Sequence, residues 1–196
     1  RRSESSVFLL YRRNVNFNGR VLDNENGTPL EGVTVELLTT DNNRVTETTS
    51  NSSGYYQIDD IQEGNYNFKF TKDGYKPAYL YNKPATNLGT LEDVRLVAET
   101  ERVAGSVVNG INSNKVALSG VQIRAYEGDE LVKEFNTDGN GAFDVKMAPG
   151  KYRFEVSANG YKTLVSNEDI KDYRDNHLNQ YQLLEDTDTQ IATIVG

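Results

Sequence analysis

Pro29-Leu-Glu-Gly-Val-Thr-Val-Glu-Leu37 returns downstream as Ala117-Leu-Ser-Gly-Val-Gln-Ile-Arg-Ala125. After each glycine, apolar residues fall on every second position, the period of a strand with one buried face. The neighbouring stretches repeat as well. Ser53-Gly-Tyr-Tyr-Gln-Ile58 matches Asn140-Gly-Ala-Phe-Asp-Val145, and Glu63-Gly-Asn-Tyr-Asn-Phe-Lys-Phe70 matches Pro149-Gly-Lys-Tyr-Arg-Phe-Glu-Val156. Asp73-Gly-Tyr-Lys76 matches Asn159-Gly-Tyr-Lys162. The pairs Gly19/Gly105, Gly32/Gly120, Gly54/Gly141, Gly64/Gly150 and Gly74/Gly160 lie 86 to 88 residues apart. The chain is two copies of one unit, residues 14–98 and 102–185, with flanks at 1–13 and 186–196.

Within unit one, Val15, Phe17 and Val21 alternate along an opening strand. Asp23 to Gly27 is dense turn chemistry. Val33, Val35 and Leu37 face one way, and the Thr-rich Arg44 to Thr49 suits a sheet edge. Tyr56 and Ile58 point opposite to Tyr55 and Gln57. Tyr66, Phe68 and Phe70 make the most apolar face. Asp73-Gly74 is a two-residue turn, with Tyr75 opening the next strand, and the unit closes on Val94 and Leu96. Unit two follows suit, with Ile123, Tyr152, Phe154 and Val156 as core. Its stretch Asn167 to Asn179 is polar and has room for one helical turn before Tyr181. No window of a dozen residues keeps a 3.6-residue apolar period, so the fold class is all-β.

Val7 to Tyr11 stands where the last strand of a preceding copy would stand. Gln190 to Gly196 restates the Val-x-Gly opening and reads as the start of a third repeat, as in an array. The joint Ala98 to Arg102 has no Gly or Pro and reads as a tight junction.

A net charge of −8 among 196 residues speaks against a nucleic-acid partner, since little here would neutralise phosphates. With no Cys, a disulfide framework, a thiolate metal site and a thiol nucleophile are excluded. The longest apolar run, Val7 to Tyr11, is far shorter than the ~20 residues of a spanning helix, so direct membrane insertion is not expected.

Taken in order, these motifs resemble the carboxypeptidase regulatory-like domain, and the resemblance covers nearly all of the chain. It implies two tandem seven-stranded Greek-key β-sandwiches of the transthyretin (prealbumin) kind. It further implies modules of exported bacterial proteins, outer-membrane receptors or metallocarboxypeptidases, mostly without catalysis of their own. Fold alone does not carry function.

Chemistry-bearing residues are few. His177 is the single histidine, whereas a His-based zinc site needs two or more nitrogen ligands and a catalytic triad needs a supported His. No catalytic residue, metal site or cofactor is expected. The oxygen-rich loops at Asp23, Asp41 and Asp138 invite comparison with a calcium loop. Position twelve is Thr34 counted from Asp23 and Pro149 counted from Asp138, where that loop requires Glu. They read as solvated turns. A Lys–Asn isopeptide cross-link needs a core-facing lysine on an early strand, and Arg20 and Ser106 stand in those stretches. Asn26-Gly-Thr28 and Asn51-Ser-Ser53 match the glycosylation pattern at near-chance frequency. Tyr55, Tyr79 and Tyr81 are the candidate ligand-binding residues, because unit two has no aromatic at their counterparts.

The expectation is a non-enzymatic spacer or docking module of a larger exported, cell-surface protein. Its partners would be other domains of the same polypeptide. One alternative is a module binding a cell-surface glycan, peptide or protein. Another is an accessory domain of an exported enzyme or outer-membrane receptor.

Overall fold

A computed structural model describes residues 14–85, 89–111 and 114–186. The chain divides into two units between Ala98 and Glu99. Val7 to Tyr11 and Gln190 to Gly196 lie outside the described residues.

Unit 1 contains β1 (Asn14–Asp23), β2 (Thr34–Thr39), β3 (Arg44–Thr49), β4 (Tyr55–Gln62), β5 (Gly64–Thr71), β6 (Ala78–Ala85) and β7 (Val94–Leu96). One sheet has the order β4-β1-β7 and the other β3-β2-β5-β6. The period-two pattern seen in the sequence decides which side chains enter the space between them. Phe17, Val21, Val35, Leu37, Tyr56, Ile58, Phe68, Phe70 and Leu96 are all buried there. Rings from opposite sheets meet edge to face. Phe17 and Phe68 are 4.9 Å apart at 89°, and Tyr56 and Phe70 are 5.5 Å apart at 69°, in the range aromatic pairs favour. Thr-rich β3 is an edge strand, as its composition suggests.

Unit 2 contains β8 (Glu101–Asn109), β9 (Gln122–Glu127), β10 (Glu130–Asn136), β11 (Ala142–Met147), β12 (Gly150–Ser157), β13 (Leu164–Ile170), β14 (Asp175–His177) and β15 (Tyr181–Leu183). The sheets are β11-β8-β14, with β15 also on β8, and β10-β9-β12-β13. Ile123, Tyr152, Phe154 and Val156 are buried as expected.

Glycine on the first strand sets how these sandwiches close. Gly19 pairs with Tyr56, and Gly105 with Phe143. In each case the aromatic ring lies over the glycine. A Cβ on Gly19 would fall 2.4 Å from the Tyr56 hydroxyl, and one on Gly105 would fall 2.5 Å from Phe143 Cζ. Neither separation is sterically allowed, so the strand must be bare there. The Pro-Leu-x-Gly-Val stretch is held by a buried hydroxyl. Ser50 accepts the Val33 N–H at 2.9 Å and donates to the Leu30 carbonyl at 2.7 Å. Thr137 does the same for Val121 and Leu118.

Several local expectations are corrected. The last strand of unit 2 is interrupted, so that β14 and β15 both lie parallel to β8, as Thr90 and β7 lie parallel to β1 in unit 1. Asn176 holds the connection that leads into β14. Its side chain accepts the Lys171 N–H at 2.9 Å and donates to the Lys171 carbonyl at 3.0 Å, fixing the turn ahead of β14. No helical turn forms between Asn167 and Asn179. Strand β13 runs to Ile170 instead, its rim-facing Ser166 and Glu168 joined to each other and to the Tyr181 hydroxyl. Polar inward residues disguised a strand. Tyr75 makes only a single bridge, to Ala98, and β6 starts at Ala78. Pro77 lacks the N–H a ladder needs. Tyr66 is half-buried rather than core. Its ring sits at the rim, where the hydroxyl donates to the Gln62 carbonyl at 2.7 Å.

Two stability measurements follow from this core. Phe154→Ala should cost about 3–5 kcal/mol, since it empties a fully buried ring site; a denaturant melt reads the loss. Tyr56 carries the buried hydroxyl that finds no hydrogen-bond partner among the described residues, and burial pushes its phenol well above the usual range. Tyr56→Phe, the residue unit 2 uses at Phe143, should raise the stability of unit 1 by about 1 kcal/mol. A loss in the same melt would show a partner for that oxygen.

Candidate functional site

Tyr55 opens β4 and points away from the core, with 52% of its surface exposed. The Arg20 guanidinium, held at 2.9 Å by Asp93, lies 5.9 Å from its ring centre. Tyr79 and Tyr81 belong to β6, two residues apart and therefore on one face. Their rings stack 5.9 Å apart at 4°, with the Lys69 amine 5.9 Å from the Tyr79 ring. Strand β4 lies in one sheet and β6 in the other. The three sequence candidates are thus one tyrosine and one pair on different sheets, and they do not form a single platform.

Beside Tyr55 is a groove of about 440 Å³, lined by Asn18, Thr48, Thr49, Asn51, Tyr55, Tyr56 and Gln57. It follows the rims of β3 and β4, which are edges of the two sheets. Composition could not have pointed to Asn18, Thr48 or Gln57. The available signal was the comparison of copies in strand register. Val35 pairs with Thr48 in unit 1, while Ile123 pairs with Phe135 in unit 2.

The other candidates are structural. One Asp23 oxygen accepts the N–H of Glu25 at 2.8 Å, and the other accepts the Tyr75 hydroxyl at 2.7 Å. Asp138 accepts the N–H groups of Asn140 and Ala142. These are side-chain-capped turns. The exposed Asp41 sits in the turn that Asn42 and Asn43 close onto Thr39. Among the described residues, no three acidic or histidine side chains gather as metal ligands would. His177 lies at the surface 3.3 Å from Asp175, whose other oxygen holds Arg102. Arg102 also grips Asp144 and holds that carboxyl below its usual range. The core-facing side chains of the opening strands are Val15, Phe17 and Val21, then Val103 and Val107, so no amine faces the core there. One buried acid was not foreseen. Glu101 accepts the Thr100 hydroxyl, which keeps the carboxyl below its usual range, and also the Arg174 N–H, each at 2.5 Å.

The carboxypeptidase regulatory-like domain model matches the chain twice, over residues 16–98 and 102–180. The chain belongs to that family. Each unit is one carboxypeptidase regulatory-like domain. No curated protein matches the chain. Among solved structures it is similar to the Bacillus anthracis TIE protein, at 18% identity and a TM-score of 0.41, over 88% of this chain and 34% of that one. It thus spans about a third of that protein. The minor pilin GBS52 of Streptococcus agalactiae gives 15% identity and a TM-score of 0.43, over 88% and 96%. A cohesin–X-dockerin complex from Acetivibrio cellulolyticus gives 23% and 0.38, over 44% and 59%. Such scores mark distant resemblances and do not bear on what the domains do.

The Gly-Tyr-Lys motif of the two domains yields a pH prediction. Tyr75 donates to Asp23, whereas its copy Tyr161 accepts from the Asn109 amide at 3.2 Å. The Tyr75 bond holds the Asp23 carboxyl below its usual range, and Asp23 raises the Tyr75 phenol to about 12. A depressed carboxyl stabilises the fold above its unfolded value near ~3.9, and that gain is lost as pH falls through the folded value. The raised phenol acts at the opposite end, its gain lost as pH rises toward about 12. Tyr75→Phe should therefore lower the melting temperature of unit 1 at neutral pH and flatten its fall under acid. An unchanged acid limb would show that other carboxyls govern it.

Proposed function

We propose that the two carboxypeptidase regulatory-like domains are non-catalytic spacer and docking modules of a larger exported, cell-surface protein, in series with other domains of the same polypeptide. One observation carries this reading. In each unit the first and last strands are neighbours and run parallel. Val21 to Asp23 pair with Val94 to Leu96, and Val107 to Asn109 pair with Tyr181 to Leu183. The chain enters at the start of β1 and leaves beyond its far end. Strand β1 has 10 residues and β8 has 9, so each unit advances the chain by roughly 30 Å. A module whose ends lie at opposite poles lengthens a protein, and parallel terminal strands resist pulling in shear.

Asp23 and Asp138 cap turns, and Arg102 and Arg124 pair with carboxylates across strands, in keeping with a scaffold. No helix among the described residues is long and apolar enough to cross a membrane, and the acidic balance disfavours nucleic acid.

Pulling the full chain by its ends should give two discrete unfolding events, one per unit, and melts in calcium and in chelator should coincide. A peptidase or esterase activity abolished by His177→Ala, or a calcium-induced rise of about ten degrees, a shift worth more than 1 kcal/mol, would overturn the reading.

A further inference from the structure

We propose that unit 1, and not unit 2, binds a neutral oligosaccharide in the groove beside Tyr55. The groove's volume of about 440 Å³ falls within the span of small-molecule sites. Its wall consists of hydroxyl and amide side chains around tyrosine rings, with no carboxylate, ammonium or guanidinium among the lining residues. A charged ligand would find no counter-charge in that wall. A pyranose offers what the wall can use, namely hydroxyls for Thr48, Thr49, Asn51 and Gln57, and an apolar C–H face for an exposed ring.

Several groups there are already fixed in place. The Asn51 side-chain Oδ1 accepts the N–H groups of Ser53 and Tyr55 at 3.0 Å, which holds the start of β4. The Asn18 side-chain Oδ1 accepts the Thr90 hydroxyl at 3.1 Å. Both asparagines keep an NH₂ group that donates to nothing among the described residues. Arg20, tied to Asp93, flanks the Tyr55 ring. A wall ordered before binding gives up less entropy when a ligand arrives.

The second copy shows what this place looks like without a groove. By register, Phe135 stands at the Thr48 position, Ala142 at Tyr55, Phe143 at Tyr56 and Ala104 at Asn18. The Phe135 ring packs 5.3 Å from Phe143 and 6.2 Å from Phe154. Unit 2 thus plugs the gap between its sheet rims with an aromatic ring. Unit 1 has a threonine there and an exposed tyrosine beside it. A domain selected only for stability gains nothing by that exchange, because burying a ring contributes more than a half-buried threonine. The exchange makes sense where the space itself is used. Tyr79 and Tyr81 lie on the other sheet and take no part.

The test uses the full chain, labelled for NMR and titrated with neutral gluco-, manno-, xylo- and N-acetylglucosamine oligosaccharides. Uronic-acid oligomers and an extended peptide serve as contrasts. At least one neutral oligosaccharide should shift the amides around Tyr55 and Thr48 and leave those around Ala142 and Phe135 unmoved. Tyr55→Ala, which copies unit 2 at an exposed position, should weaken binding at least about tenfold, a loss near 1.4 kcal/mol. Thr48→Phe, which rebuilds the plug, should abolish it with no fall in melting temperature. Tyr79→Ala should leave it unchanged. The proposal fails if no neutral oligosaccharide shifts those amides, or if both Tyr55→Ala and Thr48→Phe bind like the parent. It fails equally if the peptide or a uronic-acid oligomer occupies the groove more tightly than every neutral sugar.

Discussion

An aromatic ring set against a bare glycine of the opening strand closes each of these domains. In unit 1 it is Tyr56 over Gly19, and in unit 2 Phe143 over Gly105. The ring fills the volume a side chain would have taken, so its strand and the opening strand pair while the cavity between sheets stays closed. From there the ring meets the partner sheet, through Phe70 in one copy and Phe135 in the other. The remaining core residues pack outward from this contact. Their alternation is useful only because the first contact fixes which face of the opening strand is inside.

Much of this was legible in the sequence because the physics is local. Period-two alternation in Val33 to Leu37 and Tyr66 to Phe70 predicts strands and their buried face without knowledge of partners. Seeing the pattern twice removed the ambiguity that short apolar runs carry. The failures share a cause. Strand β13 and the placing of β14 on β8 depend on polar side chains meeting residues elsewhere in the chain, Glu168 with Tyr181 and Asn176 with Arg102. Periodicity has no access to those pairings. Tyr66 was misplaced for a related reason, since position on a strand says which way a ring points and not whether it lies at the rim.

The groove was half legible. Tyr55 stands out in the sequence as an aromatic its copy lacks. The threonine that opens the space does not, because its importance lies in replacing Phe135, and the register that equates them is a property of the folded sheets. Comparison of the copies names Tyr55, Tyr79 and Tyr81 alike but carries no information on which sheet each belongs to. The sheet order separates them.

The ion pairs have a meaning that belongs to the duplication. Two adjacent copies with the same strand register invite wrong pairings while folding, the opening strand of one against the partner strands of the other, and such misassembly is a characteristic failure of repeated domains. The charges differ where the backbones agree. Arg20 meets Asp93 in unit 1, while the matching places in unit 2 hold Ser106 and Gln180, hydrogen-bonded to each other at 3.2 Å. Arg102 meets Asp144 and Asp175 in unit 2, and Gln57 stands in unit 1 where Asp144 would be. An opening strand of unit 1 set into unit 2 would therefore exchange the Asp93 carboxylate for the neutral amide of Gln180. Worth little as a surface bond, a pair like Arg20–Asp93 still differs between the copies, and a difference of partner is what discriminates a right pairing from a wrong one.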